Sequence, residues 1–268
     1  MSLHPTVEQA DALIKLGRYD QARALLARRL AEDPDDVRAW VELGWCHLRA
    51  KDPGQALAAL DEALTRDPEN VAALVLQARS LRSADQPSFV ERWQQAEAAL
   101  RTALRVAPHN SSVHAALGEL LSYLPHRRAE AIEAAREAVR LDPEKVTAYD
   151  ALWMAAGAAN DVETYRWALR QVLRLDPTNG RALLLVSGQQ AHGTSAGQAA
   201  TVYADALAVN PDSPGLRDGL DRATYRLLRG TRWLALICLA AAGATVDLFP
   251  VDGEPGRDLP VPLGNRLW

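Results

Sequence analysis

The side chains best suited to metal binding or nucleophilic catalysis are dispersed along this chain. The histidines are His4, His47, His109, His114, His126 and His192. No two of them stand at the i, i+4 spacing of a helical zinc site. The two cysteines, Cys46 and Cys238, lie far apart and outside any CxxC or Cys/His spacing. We therefore predict neither a metal site nor a disulfide.

The sequence also lacks the short motifs that mark phosphate or nucleophile chemistry. GxGxxG, a Walker-type loop, GxSxG and HExxH are all missing. The glycine-containing stretch HGTSAG at residues 192–197 follows no predicted strand, so a phosphate-binding loop is not expected there. Residues 214–268, beyond the regular part of the chain, are too few for an ordinary catalytic domain. The sequence predicts a non-catalytic protein without a cofactor.

Composition narrows the class of partner. The chain has 268 residues and a net charge of −4. That balance does not predict the basic face that nucleic acid requires. The first twenty residues contain no apolar signal region, so we expect no cleaved secretory signal and a cytoplasmic N-terminal part.

A regular series of prolines organises most of the chain into repeats. They are Pro34, Pro68, Pro108, Pro143, Pro177 and Pro211, spaced by 34 or 35 residues except for one interval of 40. Between them, apolar residues recur at three- and four-residue spacing on both sides of a central turn, as in residues 40–64. Each unit is therefore predicted to be two amphipathic helices. The proline ends the second helix, and a nearby Asp or Asn caps the next one.

These units resemble tetratricopeptide repeats, which combine a bulky residue, Leu-Gly, two small residues and a late proline. The second unit carries the pattern most fully, with Trp40, Leu43, Gly44, His47, Ala56, Leu60, Ala63 and Pro68. The fourth has Leu117, Gly118, Leu121, Ala131, Ala138 and Pro143. The resemblance implies an all-α, right-handed solenoid with six repeats over residues 1–213 and a capping helix over 214–231.

Three features depart from the family pattern. Trp153 and Tyr165 stand where the fifth unit should carry small residues, and we expect them to open the helix packing locally. The third unit holds six extra residues, which we expect in a loop within residues 83–95. Phe89 and Trp93 of that stretch are interpreted as a plug for the longer turn, with a contact to a partner as the alternative.

The resemblance implies that partners bind in a concave groove lined by the first helix of each unit. Transferred position by position, the groove residues are Asp11, Lys15, Arg38, Trp45, Arg49, Arg79, Arg82, Glu119, Tyr123, Asp150, Met154, Arg181 and His192. Arginines around a tryptophan in the first half favour an acidic or aromatic peptide segment. The alternative is a solvated inner face in which Trp45 is only packing. Val7, Asp11 and Trp45 occupy the positions of the carboxylate clamp known in some family members, so that clamp is not expected.

Residues 232–249 are the candidate membrane anchor, because the chain from Trp233 to Val246 is apolar on every side. The anchor residues are Trp233, Leu234, Leu236, Ile237, Leu239 and Val246. Fourteen helical residues reach only ~21 Å against a hydrocarbon core of roughly 30 Å. Arginines before the segment and a tryptophan at its boundary nevertheless favour a membrane. Residues 250–268 form a tail rich in proline and glycine.

We therefore predict a scaffold for protein partners, with cytoplasmic repeats tethered to the cytoplasmic membrane, similar to bacterial membrane-tethered tetratricopeptide proteins. Two alternatives stay open. In the first, the chain is a soluble adaptor whose apolar tail fills its own groove or a dimer interface. In the second, the chain is the regulatory arm of a longer membrane enzyme or transporter. No nucleic acid and no metal are expected as partners.

Overall fold

In the computed structural model, residues 5–83 and 89–248 are described, with side chains omitted at 89, 230–235 and 242–248. Every regular element in these ranges is helical. The chain divides into two compact units, residues 1–182 and residues 183–268. The boundary falls within the helix formed by residues 180–191.

The helices alternate in pairs along the sequence. They are α1 Pro5–Lys15, α2 Tyr19–Glu32, α3 Val37–Arg49, α4 Pro53–Arg66, α5 Val71–Ser83, α6 Phe89–Val106, α7 Ser111–Ser122, α8 Arg128–Leu141, α9 Val146–Ala158, α10 Val162–Leu175, α11 Gly180–Ala191, α12 Ala196–Val209 and α13 Pro214–Leu248. A short 3-10 turn, Pro125–Arg127, precedes α8.

The prolines end the second helix of each pair, as the sequence predicts. α2 ends at Glu32 before Pro34, and α4 ends at Arg66 before Pro68. The helices before the four later prolines end in the same way, because the residue before proline is pushed away from helical geometry. The polar residue after the proline then caps the next helix. Asp36 accepts from the Ala39 N–H at 3.1 Å.

A second hydrogen bond links the proline-containing turn to the helix that follows it. A side chain in the first turn of that helix donates to the carbonyl of the preceding proline, six residues back. The pairs are Trp40 with Pro34 at 2.8 Å, Tyr149 with Pro143 at 3.0 Å, and Arg217 with Pro211 at 2.5 Å. His114 and Pro108 make the equivalent contact at 2.8 Å. Chemically different side chains thus hydrogen-bond the proline carbonyl at the equivalent position of each repeat.

Small residues let the two helices of a pair approach closely. Ala56, Ala63 and Ala131 are fully buried. A Cβ at Gly44 would come within 2.7 Å of the Leu60 side chain, so a larger residue there would force that contact apart. The small residues that recur in the sequence are therefore packing positions.

Two of the predicted departures take a definite form. The extra residues of the third unit do not all lie in a loop, because α6 already begins at Phe89. Trp93 on α6 is buried, in line with the plug interpretation, while the Phe89 side chain lies outside the described residues. Trp153 and Tyr165 pack edge to face at 5.9 Å between ring centroids, and Gly157 leaves room for the Tyr165 ring.

In the first unit, the first helices of successive pairs contact one another. α1 contacts α3, α3 contacts α5, α5 contacts α7, and α7 contacts α9. This row is called the first-helix layer below. It carries the positions at which the family resemblance places partner contacts.

In the second unit, α13 packs on α12 through its first turns. Leu216 and Ala223 are fully buried, whereas the described side chains after Thr224 are exposed. α13 runs without interruption through the predicted capping helix and most of the candidate anchor. No helix among the residues the structure describes is both long and apolar enough to cross a membrane. The tail of residues 250–268, and the side chains of Trp233, Leu234 and Val246, lie outside the described part.

Candidate partner-binding surface

The groove residues predicted for the first unit all belong to, or directly follow, helices of the first-helix layer and α11. Asp11 and Lys15 are on α1, and Arg38, Trp45 and Arg49 are on α3. Arg79 and Arg82 are on α5, Glu119 is on α7 and Tyr123 caps it. Asp150 and Met154 are on α9, and Arg181 is the second residue of α11. Their side chains form several separate clusters.

Arg49 lies on an aromatic platform at the C-terminal end of α3. Its guanidinium carbon is 5.7 Å from the Tyr19 ring centroid and 5.6 Å from that of Trp45. Its Nε donates to the Tyr19 hydroxyl at 3.1 Å. Stacking holds the guanidinium plane while leaving other N–H groups able to bind an acceptor. Among the described residues, no carboxylate lies within ion-pair distance of Arg49.

Arg79 and Arg82 instead face a carboxylate of the neighbouring first helix. Arg82 Nη1 donates to Glu119 Oε1, and Arg79 Nε lies 4.0 Å from Glu119 Oε2. The Arg82 guanidinium also stacks over Tyr123, 5.5 Å from the ring centroid, and Tyr123 contacts Trp93 edge to face. The side chains of Arg82 and Glu119 are only 22% and 19% exposed. An internal acid therefore occupies the site that the sequence assigns to an acidic ligand.

The cations of α1 and the first turns of α3 are also paired. Lys15 Nζ lies 2.7 Å from Asp11 Oδ2, and Arg38 Nη2 lies 3.9 Å from Glu42 Oε1. Burial raises the pKa of Glu42, an effect that Arg38 opposes and Asp11 reinforces. The longer separation from Arg38 indicates a weaker pair than the one at Glu119.

An acidic cleft of about 1070 Å³ adjoins these residues. Its charged lining comprises Arg29, Asp33, Asp35, Asp36, Arg38, Glu42 and Asp67. Arg29 is engaged with Asp33 at 2.6 Å and Asp36 at 2.8 Å. Because carboxylates outnumber arginines here, an acidic ligand would be repelled near Arg38. Arg49 is the better contact for such a ligand.

The α9 cluster combines an acid, an indole and an arginine. Trp153 Nε1 donates to Asp150 Oδ1 at 3.0 Å, and the Arg181 guanidinium lies 4.6 Å from the Trp153 ring centroid. Burial raises the pKa of Asp150, while the Trp153 hydrogen bond and the charge of Arg181 oppose that shift. Met154 is half-buried beside them. This cluster is internally satisfied, so we expect it to order the surface more than to attract a charged ligand.

His192 follows α11 in the second unit and lines a different cleft, of about 800 Å³. Tyr225, Arg222, Arg226 and Asp221 of α13 line the same cleft. These α13 residues are missing from the sequence-predicted set because α13 was interpreted as a cap. The signal that could have found them is the continuation of the repeat spacing past Pro211.

Metal and thiol chemistry find no structural support in the described part. No group of three or more His, Cys, Asp or Glu side chains there could hold a metal ion. Burial raises the pKa of Cys46 to about 11, so its thiol stays protonated at neutral pH.

Comparison with known proteins gives one family match and several structural likenesses. The family model described as tetratricopeptide repeat matches residues 7–71 and 49–86. No curated protein matches the chain. The matched ranges cover the helix pairs that carry the Arg49 platform.

This match supports a tetratricopeptide repeat protein, and the matched repeats lie within residues 7–86.

The solved structures share the repeat fold at low sequence identity. A thermophilic tetratricopeptide repeat protein of Thermus thermophilus is 21% identical, with a TM-score of 0.54 over 83% of this chain and 97% of its own. PilF of Pseudomonas aeruginosa is 20% identical, with a TM-score of 0.55 over 80% of this chain and 94% of its own. A chain of the APC/C hetero-tetramer Cut9–Hcn1 is 16% identical, with a TM-score of 0.66 over 81% of this chain and 42% of its own.

Three residues that hold the predicted groove residues in place are missing from the predicted groove set. Tyr19 holds Arg49, Glu42 faces Arg38, and Trp153 supports Asp150 and Arg181. Glu42 could have been found, because it stands four residues after Arg38 on one helix. Tyr19 stands thirty residues before Arg49, and no local pattern signals that contact.

Proposed function

We propose that this tetratricopeptide repeat protein is a scaffold that binds a peptide segment of a protein partner on the first-helix layer of its first unit. The Arg49 platform carries the proposal. Its guanidinium is held on Tyr19 and Trp45, yet it faces no carboxylate among the described residues. A carboxylate can pair with that guanidinium while an aromatic ring packs against the platform. The proposed ligand is therefore a segment with an acidic residue beside an aromatic one.

The later helix pairs are included in the proposal as repeats of the same family. Their second helices end before Pro143, Pro177 and Pro211, as the first ones end before Pro34 and Pro68. Six repeats would extend the binding surface beyond the residues that the family model matches. Asp150, Met154 and Arg181 would then contact a partner that runs past the Arg49 platform.

Selection from a random peptide library tests the proposed ligand. The immobilised full chain should enrich peptides that carry Asp or Glu next to an aromatic residue. Arg49→Ala should weaken binding of a labelled selected peptide about tenfold, the value of one charge-assisted contact, as measured by fluorescence anisotropy. Raising the salt concentration should weaken binding to the parent in the same direction.

Arg28→Ala is the matched control, because Arg28 is an exposed arginine on α2 outside the first-helix layer. It removes the same charge and should leave peptide affinity unchanged. Selection of peptides without acidic residues, or equal affinity in the Arg49→Ala variant and the parent, would refute the acidic ligand.

We further propose that residues 232–249 tether the scaffold to the cytoplasmic membrane, with the repeats in the cytoplasm. Leu236, Ile237 and Leu239 are 53%, 60% and 70% exposed on α13, so their apolar surface has no cover within the described residues. Burial of each such side chain is worth roughly 1.5 to 3 kcal/mol. Replacing all three by serine should release the full chain from sedimented membranes, and a chain ending at Arg229 should remain folded.

The control replaces three exposed apolar residues elsewhere, Leu16, Val90 and Val209, by serine. That variant should sediment with membranes as the parent does. A dimer interface is the competing cover for the α13 residues. A full chain that forms dimers without membranes, and monomers after the α13 substitutions, would replace the tether with that interface.

A further inference from the structure

α13 continues well beyond the turns that pack against α12 in the second unit. Ala223 is the last described side chain on α13 that is buried. The side chains of residues 225–229 and 236–241 are all exposed. This long exposed stretch is available to a partner that covers both polar and apolar groups.

Three arginines occupy one face of α13 just before and within this stretch. Arg222, Arg226 and Arg229 are separated by four and then three residues, which places them one above another on the helix. All three are exposed, and no carboxylate lies within ion-pair distance of any of them among the described residues. Arg222 Nε donates a hydrogen bond to the Asp218 carbonyl oxygen at 3.1 Å. The two terminal nitrogens of Arg222 can therefore bind another acceptor.

Two of these arginines border the α13 cleft of about 800 Å³. Arg222 and Arg226 line it with the hydroxyl-bearing Tyr225 and the imidazole of His192. Asp221 also lines the cleft and supplies one negative charge. A guanidinium group can donate two parallel hydrogen bonds to the oxygens of a phosphate, and a tyrosine hydroxyl adds another donor. The cleft suits a phosphate-bearing ligand.

We propose that the arginine face of α13, consisting of Arg222, Arg226 and Arg229, binds the headgroups of anionic lipids where the helix meets a bilayer. The proposal rests on the tether proposed above. The same unbroken helix presents Leu236, Ile237 and Leu239 to solvent just beyond the arginines. An acidic protein would match the arginines alone, whereas an anionic bilayer matches both the charges and the apolar residues that follow.

The helical rise places the arginines within reach of the headgroups. Four residues separate Arg229 from Trp233, where the apolar sequence begins, and span ~6 Å. The headgroup layer is about 5 to 8 Å thick on each side of the membrane. Arg222 stands ~16 Å from Trp233, about one Debye length beyond that layer. Arg229 and Arg226 should therefore contribute more than Arg222.

Vesicle flotation with the full chain tests the headgroup site. The parent is mixed with vesicles of phosphatidylcholine alone, or of phosphatidylcholine with phosphatidylglycerol. A basic residue near an anionic surface strengthens binding about fivefold. Because Arg229 and Arg226 are the main contributors, replacing the three arginines by glutamine should lower affinity for anionic vesicles about 25-fold to a hundredfold. Binding to neutral vesicles should not change.

The matched control replaces Arg28, Arg166 and Arg170 by glutamine. These are exposed arginines of the first unit that have no ion-pair partner among the described residues. The control changes the net charge equally and should keep the parent's preference for anionic vesicles. An equal loss in both triple variants would refute a specific headgroup face.

The outcomes separate the headgroup site from the tether. A parent that binds both kinds of vesicle equally keeps the tether and ends the headgroup proposal. A parent that binds neither kind ends both proposals. An arginine variant that binds anionic vesicles as the parent does would overturn the headgroup site and favour an acidic protein as the occupant of this face.

Discussion

Two arginines of the first unit stack on tyrosines in nearly the same way, but only one of them has an internal acid. Arg49 lies 5.7 Å from the Tyr19 ring centroid, and Arg82 lies 5.5 Å from that of Tyr123. Arg82 donates to Glu119, whereas Arg49 has the Tyr19 hydroxyl as its polar partner. With similar stacking, Arg82 is therefore closed off in an ion pair with Glu119, whereas the charge of Arg49 is available to a partner.

The difference follows from one equivalent position on the next first helix. The residue after the small packing residue is Arg79 on α5 and Glu119 on α7. Arg82 of α5 therefore has a carboxylate on its neighbour α7, whereas α5, the neighbour of α3, carries an arginine at the corresponding position. The charge available to a partner is therefore set by which residues adjacent repeats place opposite one another, and not by the number of arginines.

The largest expected effect comes from breaking the closed pair. Glu119→Gln leaves Arg79 and Arg82 partly buried without a carboxylate, which should cost about 1.5 to 3 kcal/mol of the free energy of unfolding. Denaturant titration followed by circular dichroism measures it. Glu133→Gln, which removes an exposed pair with Arg136, should cost under about 0.5 kcal/mol. Equal losses in both variants would mean that Glu119 is an ordinary surface acid.

A smaller effect is expected on binding, because the same substitution should free Arg82. A peptide selected on the parent and extended by a second acidic residue should bind Glu119→Gln about tenfold more tightly, one additional charge-assisted contact. Adding Arg82→Ala to Glu119→Gln should remove the gain. Measurement at low temperature keeps the destabilised variant folded. A gain that survives loss of Arg82 would place the new contact elsewhere.

The smallest effect concerns Glu42, whose partner Arg38 is more distant. Burial raises the pKa of Glu42, so the folded state favours its protonated form. As pH rises past about 4.3, where an exposed glutamate ionises, the unfolded state ionises first and the parent loses stability. Glu42→Gln cannot ionise. Its free energy of unfolding relative to the parent should therefore rise between pH 4 and pH 7.

Glu8→Gln is the control for this pH series, because Glu8 is exposed on α1. The change measured for Glu42→Gln is compared with the change measured for this variant. If the relative stability of Glu42→Gln falls as pH rises, ionised Glu42 is a net stabilising partner of Arg38. The contrast with Glu119 would then be one of degree only.

Local sequence was sufficient for the helices. Pro34 and Pro68 predict where α2 and α4 end, and Asp36 predicts the cap of α3, because these effects act over a few residues. The small residues Gly44 and Ala56 likewise predict close helix packing, because only small side chains fit at that separation. The six extra residues of the third unit were placed less well, since a helix can absorb them by starting earlier, as α6 does at Phe89.

The sequence by itself thus determined most of the helices and their ends, and it predicted a set of surface residues for a partner. Tertiary structure decided which of those residues are already engaged. The Arg82–Glu119 and Arg49–Tyr19 contacts join residues 37 and 30 positions apart, and neither obeys a local spacing rule. Such contacts depend on the distance between helices of neighbouring repeats, which is fixed by the packing of small residues between those helices. Charge pairing across repeats is therefore a property of the stacked repeats and not of any single one.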